Sequence, residues 1–216
     1  PKPATPVLFA HFVLRSSNIQ AMIDWYSAVL NMHVVQRTDY ICFLTYDDEH
    51  HRLGIVNLAG LKAPDAQTSG LAHVAYTFAD IGVLLSTYAR VKKLGIAPAR
   101  CIHHGPTVSI YYRDPDGNGV ELQVDRYATK EATAAYFQTE AFKKNPIGIV
   151  FDPDALALAL WHEVGTKLGE ALALIVDVLN PERIVIGSIY ARCERWIAPA
   201  MQMSLAREAL AESEAG

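Results

Sequence analysis

Phe9-Ala10-His11-Phe12-Val13 and Leu71-Ala72-His73-Val74-Ala75 are one pattern written twice, 62 positions apart, with a histidine at the same place in each. The correspondence persists at that offset: Asn18 with Asp80, Ile19 with Ile81, Met22 with Leu84, Ile23 with Leu85, Tyr26 with Tyr88. Self-similarity at a fixed spacing marks two copies of one supersecondary unit. Such copies usually pair about a pseudo-twofold axis, and equivalent residues then meet near it. Two histidines meeting there would begin a metal site.

Each copy reads as strand, helix, then three strands. In the first, Leu8–Leu14 is a strand. Asn18 caps a helix to about Leu30, with Ile19, Met22, Ile23, Tyr26 and Leu30 on one face. His33–Asp39, Tyr40–Tyr46 and Arg52–Leu58 follow as strands. A linker with Pro64 and Gly70 leads to the second copy: strand Leu71–Thr77, a helix from Asp80 to about Leu94 closed by Gly95, then strands Pro98–His103, Thr107–Arg113 and Gly119–Asp125. Asp116-Gly117-Asn118-Gly119 has the composition of a hairpin turn. The expected class is α+β, with paired βαβββ modules at about residues 7–59 and 70–127.

After Tyr127 the pattern changes. Residues 128–153 read as a helical segment and then an extended piece through Asn145-Pro146-Ile147-Gly148. Asp154 is placed to cap a long apolar helix to about Leu179, which Pro181 stops. Arg183–Gly187 reads as a short apolar strand, and 190–213 as a helix broken at Pro199. The expected division is a module over 1–155 and a mostly helical extension over 156–216.

Composition narrows the class of function. The chain has 216 residues, 51% of them hydrophobic, enough for one good core. A net charge of −4 makes no electrostatic case for nucleic acid or an anionic membrane. No apolar run is long enough to span a bilayer, and Pro1–Pro6 lacks the features of a signal peptide. Three widely spaced cysteines, Cys42, Cys101 and Cys193, read as reduced thiols of a cytoplasmic protein. His162-Glu163 resembles the start of a metalloprotease helix motif, but position 166 is Thr, so the pair reads as surface. A homo-oligomer is expected on general grounds.

Alternation along the strands shows where chemistry can sit. In Gly119–Asp125, Val120, Leu122 and Val124 share one face while Glu121, Gln123 and Asp125 share the other. In Thr107–Arg113, Thr107, Ser109 and Tyr111 lie opposite Val108, Ile110 and Tyr112. A polar face on adjacent strands looks toward a cavity inside a curved sheet. If His11 and His73 meet there, Glu121 completes two histidines and one carboxylate. That set is used by non-haem Fe(II) oxygenases.

A longer motif now carries a family resemblance. His104, five residues, Ile110-Tyr111, two residues, Asp114-Pro115, then Gly117 and Glu121 match the signature of type I extradiol catechol dioxygenases in the vicinal oxygen chelate superfamily. His50-His51-Arg52-Leu53 resembles the histidine pair that opens the last strand of the first repeat in that family. Phe142, Asn145-Pro146-Ile147-Gly148 and Phe151-Asp152-Pro153 resemble its following segment. The likeness covers about residues 7–155. It implies that His11, His73 and Glu121 bind Fe(II), with Mn(II) an alternative. His51 would be the general acid/base, and Tyr111 and His104 donors to the substrate, with His103 fitting less well than His104. The implied reaction inserts both atoms of O2 into a catechol or substituted catechol and gives a muconic semialdehyde type of product. The implied partners are the aromatic diol and O2. A glyoxalase-like lyase or epimerase, or a non-catalytic binding module, are the alternatives on this fold.

A second, looser resemblance lies at the end of the chain. Residues about 165–211, through Asn180-Pro181-Glu182-Arg183 and Ile186-Gly187-Ser188, are similar to the C-terminal part of the ROK sugar kinases and repressors. No phosphate loop, catalytic aspartate or zinc cysteines accompany it, so no kinase activity is expected.

Overall fold

The computed structural model describes residues 3–62, 65 and 67–209. Pro64 of the linker and the end of the last helix expected to 213 lie outside these residues. The chain separates into two compact units, Pro1–Val150 and Phe151–Gly216.

The first repeat forms β1 (Phe12–Ser16), α1 (Ile19–Leu30), β2 (His33–Arg37), β3 (Ile41–Thr45) and β4 (Leu53–Asn57). The second forms β5 (Val74–Thr77), α2 (Ile81–Lys93), β6 (Arg100–His103), β7 (Thr107–Arg113) and β8 (Gly119–Asp125). Both close in the same way. The strand before each helix pairs in parallel with the last strand, giving the orders β1-β4-β3-β2 and β5-β8-β7-β6. The α+β class and the two βαβββ modules expected from the repeat are therefore observed. β1 and β5 begin later than expected, at Phe12 and Val74, so each histidine stands one residue ahead of its strand.

Local chemistry explains the helices. Asn18 accepts a hydrogen bond from Ala21 N at 3.3 Å, and Asp80 one from Val83 N at 2.8 Å, each satisfying a first-turn donor. Met22, Tyr26 and Val29 of α1 are buried, as are Leu84, Tyr88 and Val91 of α2. Gly95 takes a positive φ of 79°, and Ile96 N bonds back to Val91 O at 3.2 Å, which ends α2.

The repeats touch across their helices. The Arg90 guanidinium of α2 donates to the backbone oxygens of Ala28 and Val29 in α1. Ala28 is Arg90's own counterpart at the repeat offset, so here equivalent positions do meet. Tyr26 Oη donates to Asp114 Oδ2 at 3.1 Å and ties α1 to the β7–β8 turn. Asn118 donates to the same carboxylate and shapes that turn.

Residues 128–150 form α3 (Lys130–Tyr136), α4 (Glu140–Lys144) and β9 (Ile149–Val150). β9 was not expected; it adds to β6 through Ile102↔Val150 and His103↔Ile149.

The second unit pairs α5 (Pro153–Leu179) with α6 (Ile189–Glu208). Three expectations change here. Asp152, not Asp154, is the cap: its side chain accepts from Asp154 N at 2.9 Å, and Pro153 occupies the first turn, where no N–H is needed. Arg183–Gly187 forms no strand. An apolar run becomes a strand only where another strand satisfies its N–H and C=O groups. Pro199 does not break the last helix, which runs through it. Packing outweighs the lost hydrogen bond at that position. Gly165 and Gly169, one turn apart, bring α5 onto α6. A Cβ on them would lie 2.4 Å from Ile197 O and 2.3 Å from Met201 O. Leu172, Ile197 and Met201 form the core beside this contact, and Trp161 stacks on Trp196. His162 and Glu163 are exposed, and no helix among the described residues is long and apolar enough to cross a membrane.

Gly165→Ala and Gly169→Ala should each destabilise the α5–α6 pair by about 1–3 kcal/mol, the cost of forcing extra volume into a packed contact. Thermal unfolding followed by tryptophan fluorescence checks this. An unchanged midpoint in both variants would show that the close approach is not needed.

Candidate active site

Ladder register puts the chemistry in one row. β6, β7, β8 and β5 lie side by side, with Arg100↔Tyr111, Tyr111↔Glu121 and Ala75↔Glu121 as partners. Directly paired residues project from the same face, so Arg100, Tyr111 and Glu121 form a cross-strand line. Ile110, Tyr112, Val120, Leu122 and Val124 occupy the other face and are buried. This polar-against-apolar division is the one read from alternation.

Glu121 is only 5% exposed. Its two oxygens have different partners: Oε1 accepts from Tyr111 Oη at 2.9 Å, and Oε2 lies 2.8 Å from His73 Nε2. The second contact depends on Gly119. A Cβ there would stand 2.3 Å from Ala72 O and 3.0 Å from His73 Cβ, so only glycine lets the start of β5 come this close. Tyr111 Oη also lies 2.8 Å from His104 Nε2, and His104 Nδ1 lies 2.6 Å from Ile147 O. The result is one chain: His73, Glu121, Tyr111, His104, Ile147 carbonyl. Burial, with help from Glu121, pushes the Tyr111 hydroxyl up to about 12, so it remains a neutral donor across the physiological range. The Arg100 guanidinium sits 4.3 Å from the centre of its ring.

A second group gathers at the first repeat. The His51 ring lies 4.2 Å from that of His11 and 4.5 Å from that of Phe43. His50 Nδ1 and His51 Nδ1 are 2.6 Å apart, so one of them donates. Burial, then the neighbouring His11 and His50, lowers the His51 pKa below the usual histidine value. Arg52 holds the approach to His11. It forms three hydrogen bonds through Nε and Nη2 to Asp47 and donates through Nη1 to Phe9 O at 2.7 Å and Ala10 O at 3.1 Å.

The six residues singled out in the sequence thus fall into two groups: His73, Glu121, Tyr111 and His104 in one, His11 and His51 in the other. Among the described residues no group of three or more His, Cys, Asp or Glu side chains is arranged to hold a metal. His11 precedes β1 and lies outside its ladder, and no ladder joins β1 to β5. Backbone hydrogen bonding therefore does not carry His11 to the His73–Glu121 pair. The donor types still suit a divalent cation, since imidazole and carboxylate ligands together are what such ions take. His103, the alternative to His104, points to the other face and accepts from Gly105 N at 3.2 Å.

The ladders also explain why there is one such site and not two. Phe12 pairs with Leu53 as Val74 pairs with Val120, so Gly54 is the counterpart of Glu121. Gly54 pairs with Phe43 where Glu121 pairs with Tyr111. The first repeat keeps the histidine but lacks both the carboxylate and the hydroxyl. Arg52 and Arg100 were missed by the sequence reading. Arg100 becomes visible only once the β6–β7 register is known; Arg52 had a signal in Asp47, five positions before it.

Residues flanking both histidines, Phe9, Phe12, Val74 and Ala75, line a cavity of about 410 Å³ together with Tyr46 and Tyr76.

Comparison with known proteins places the chain in a family. Residues 8–122 match the family model described as the glyoxalase/bleomycin resistance protein/dioxygenase superfamily. A biphenyl-2,3-diol 1,2-dioxygenase 2 of Rhodococcus globerulus is 44% identical over 185 residues, covering 82% of this chain and 96% of that protein. A biphenyl-2,3-diol 1,2-dioxygenase 3 of the same organism is 46% identical over 182 residues, covering 82% and 94%. Among solved structures, a glyoxylase/bleomycin resistance protein/dioxygenase domain from Frankia sp. EAN1pec shares the fold at 18% identity and a TM-score of 0.50, over 58% of this chain and 96% of that one. The matches to the two dioxygenases cover more of the chain than residues 1–155 can supply, so they extend into the C-terminal segment. The likeness of that segment to the ROK group finds no support. The chain belongs to the glyoxalase/bleomycin resistance protein/dioxygenase superfamily.

Proposed function

We propose that this protein is an extradiol dioxygenase that cleaves the ring of a catechol-type aromatic diol beside its hydroxyls, inserting both atoms of O2 to give a muconic semialdehyde type of acid. The observation that carries the reading is the buried Glu121, shared between the His73 imidazole and the Tyr111 hydroxyl. The two Rhodococcus relatives, named as dioxygenases of an aromatic diol, support it.

In this reading His73 and Glu121, with His11 as the repeat counterpart of His73, hold a divalent metal, Fe(II) or alternatively Mn(II). When bound, the metal supplies the Lewis acidity that favours the ionised diol and the redox capacity for reaction with dioxygen. The protein's own side chains do the rest. Tyr111 offers a neutral O–H beside the carboxylate and orients a substrate oxygen. His104 stands behind Tyr111 and exchanges a proton with its hydroxyl. His51 takes a proton from the diol and returns one later as the ring opens, as an imidazole at a catalytic site can. Residues 1–155 form the catalytic module.

Anaerobic loading with Fe(II), followed by catechol or 2,3-dihydroxybiphenyl and air, should give a yellow ring-opened product with one O2 consumed per diol. Turnover of a methylglyoxal–glutathione adduct with no ring cleavage would instead make the protein a lyase. His73→Ala and His11→Ala should each lose bound iron, measured by metal analysis of the purified protein; full retention in either removes that residue from the ligand set. His51→Phe should keep iron and diol but lower kcat by about a hundredfold or more, the usual contribution of a positioned acid–base group. Unchanged turnover would remove His51 from the mechanism.

A further inference from the structure

Asn145-Pro146-Ile147-Gly148 lies 41 to 44 residues beyond His104 in the chain. In the fold it returns to His104. Ile147 O is 2.6 Å from His104 Nδ1, and a carbonyl can only accept. Nδ1 therefore carries the proton. In the neutral ring Nε2 is then a bare acceptor 2.8 Å from Tyr111 Oη, so the one hydroxyl proton is shared between His104 Nε2 and Glu121 Oε1. Reversing the tautomer would turn two lone pairs toward each other at Nδ1.

The carbonyl is itself held in place. Asn145 Nδ2 donates to Gly148 O at 2.7 Å, and Asn145 Oδ1 accepts from Gly148 N at 2.9 Å, so one amide side chain clamps the turn from both ends. Pro146 restricts the backbone between them. Gly148 has φ +98°, and a Cβ there would stand 2.2 Å from His103 O and 2.7 Å from His104 Cα. Only glycine allows the turn to lie against the histidine. β9 then anchors the far side by pairing with β6. Gly105 in the β6–β7 turn has φ +101°, and its missing side chain leaves room for the Tyr136 ring of α3.

We infer that the 145–148 turn is a positioning element for His104: the Ile147 carbonyl, clamped by Asn145 and admitted by Gly148, fixes the Nδ1–H tautomer and presents Nε2 to the Tyr111 hydroxyl. The catalytic consequence rests on the role proposed above for His104. Asn145 bonds to Gly148 and acts on His104 through the carbonyl.

Two measurements test it. The first does not depend on activity. In metal-free protein, imidazole 15N shifts of His104 should report the Nδ1–H tautomer, and Asn145→Ala should convert it to a mixture. An Nε2–H tautomer in the unaltered protein, or a spectrum that Asn145→Ala leaves unchanged, overturns the inference. The second is a kinetic cycle in the iron-loaded enzyme. Asn145→Ala should lower kcat by about tenfold, in the range of outer hydrogen-bond partners of active-site imidazoles, with KM and iron content unchanged. Asn145→Asp keeps the acceptor for Gly148 N–H and should recover part of the loss. In a His104→Ala background, Asn145→Ala should have no further effect. An equal loss in both backgrounds would show a merely structural turn and overturn the inference. If the unaltered enzyme cleaves no diol at all, the proposed function fails, while the tautomer measurement still decides the role of the turn.

Discussion

A carboxylate nearly removed from water has to be answered by donors, and Glu121 is answered twice, by the Tyr111 hydroxyl and the His73 imidazole. Leaving either oxygen without a donor would cost more than a surface contact of the same length, because the carboxylate is buried. This requirement orders the surrounding structure. The β7–β8 register must bring Tyr111 opposite Glu121. The turn that sets the register is held by Asp114, which takes bonds from Asn118 and from Tyr26 of the other repeat. Gly119 must stay without a side chain so that β5 can deliver His73.

The two repeats build a symmetric frame with unequal contents. Their parallel β1–β4 and β5–β8 pairs superpose in register, and α1 meets α2 through counterpart positions. Yet Gly54 and Phe43 stand where the second repeat has Glu121 and Tyr111. Loss of the carboxylate leaves the first repeat free for another task. Its histidines cluster with one another, His51 against both His11 and Phe43, with Arg52 holding the preceding backbone. Duplication thus supplies the architecture, and divergence at two ladder positions supplies a single chemical centre.

Much of this was legible beforehand because it is local. Asn18 and Asp80 cap helices whatever surrounds them, Gly95 ends one, and the polar face of β7 and β8 follows from alternation alone. What was misread depends on partners. Arg183–Gly187 has the composition of a strand, but no strand among the described residues pairs with it. Pro199 carries a local instruction to break, overridden by packing along the Gly165–Gly169 face. The extended piece at 145–150 was recognised as extended, but its addition to β6 was not, since a two-residue strand has no signature apart from its neighbour.

The amino-acid order by itself determined the duplicated module, its helices and turns, and which strand residues share a polar face, because these depend on interactions within a few residues or on a fixed alternation. Only the tertiary structure decided which polar residues touch. It joined His73, Glu121, Tyr111 and His104 into one hydrogen-bonded chain, brought a carbonyl from 43 residues away onto that chain, and set His11 beside His51. Those meetings depend on ladder register and on close approaches at Gly119 and Gly148, and neither is written in the residues that meet.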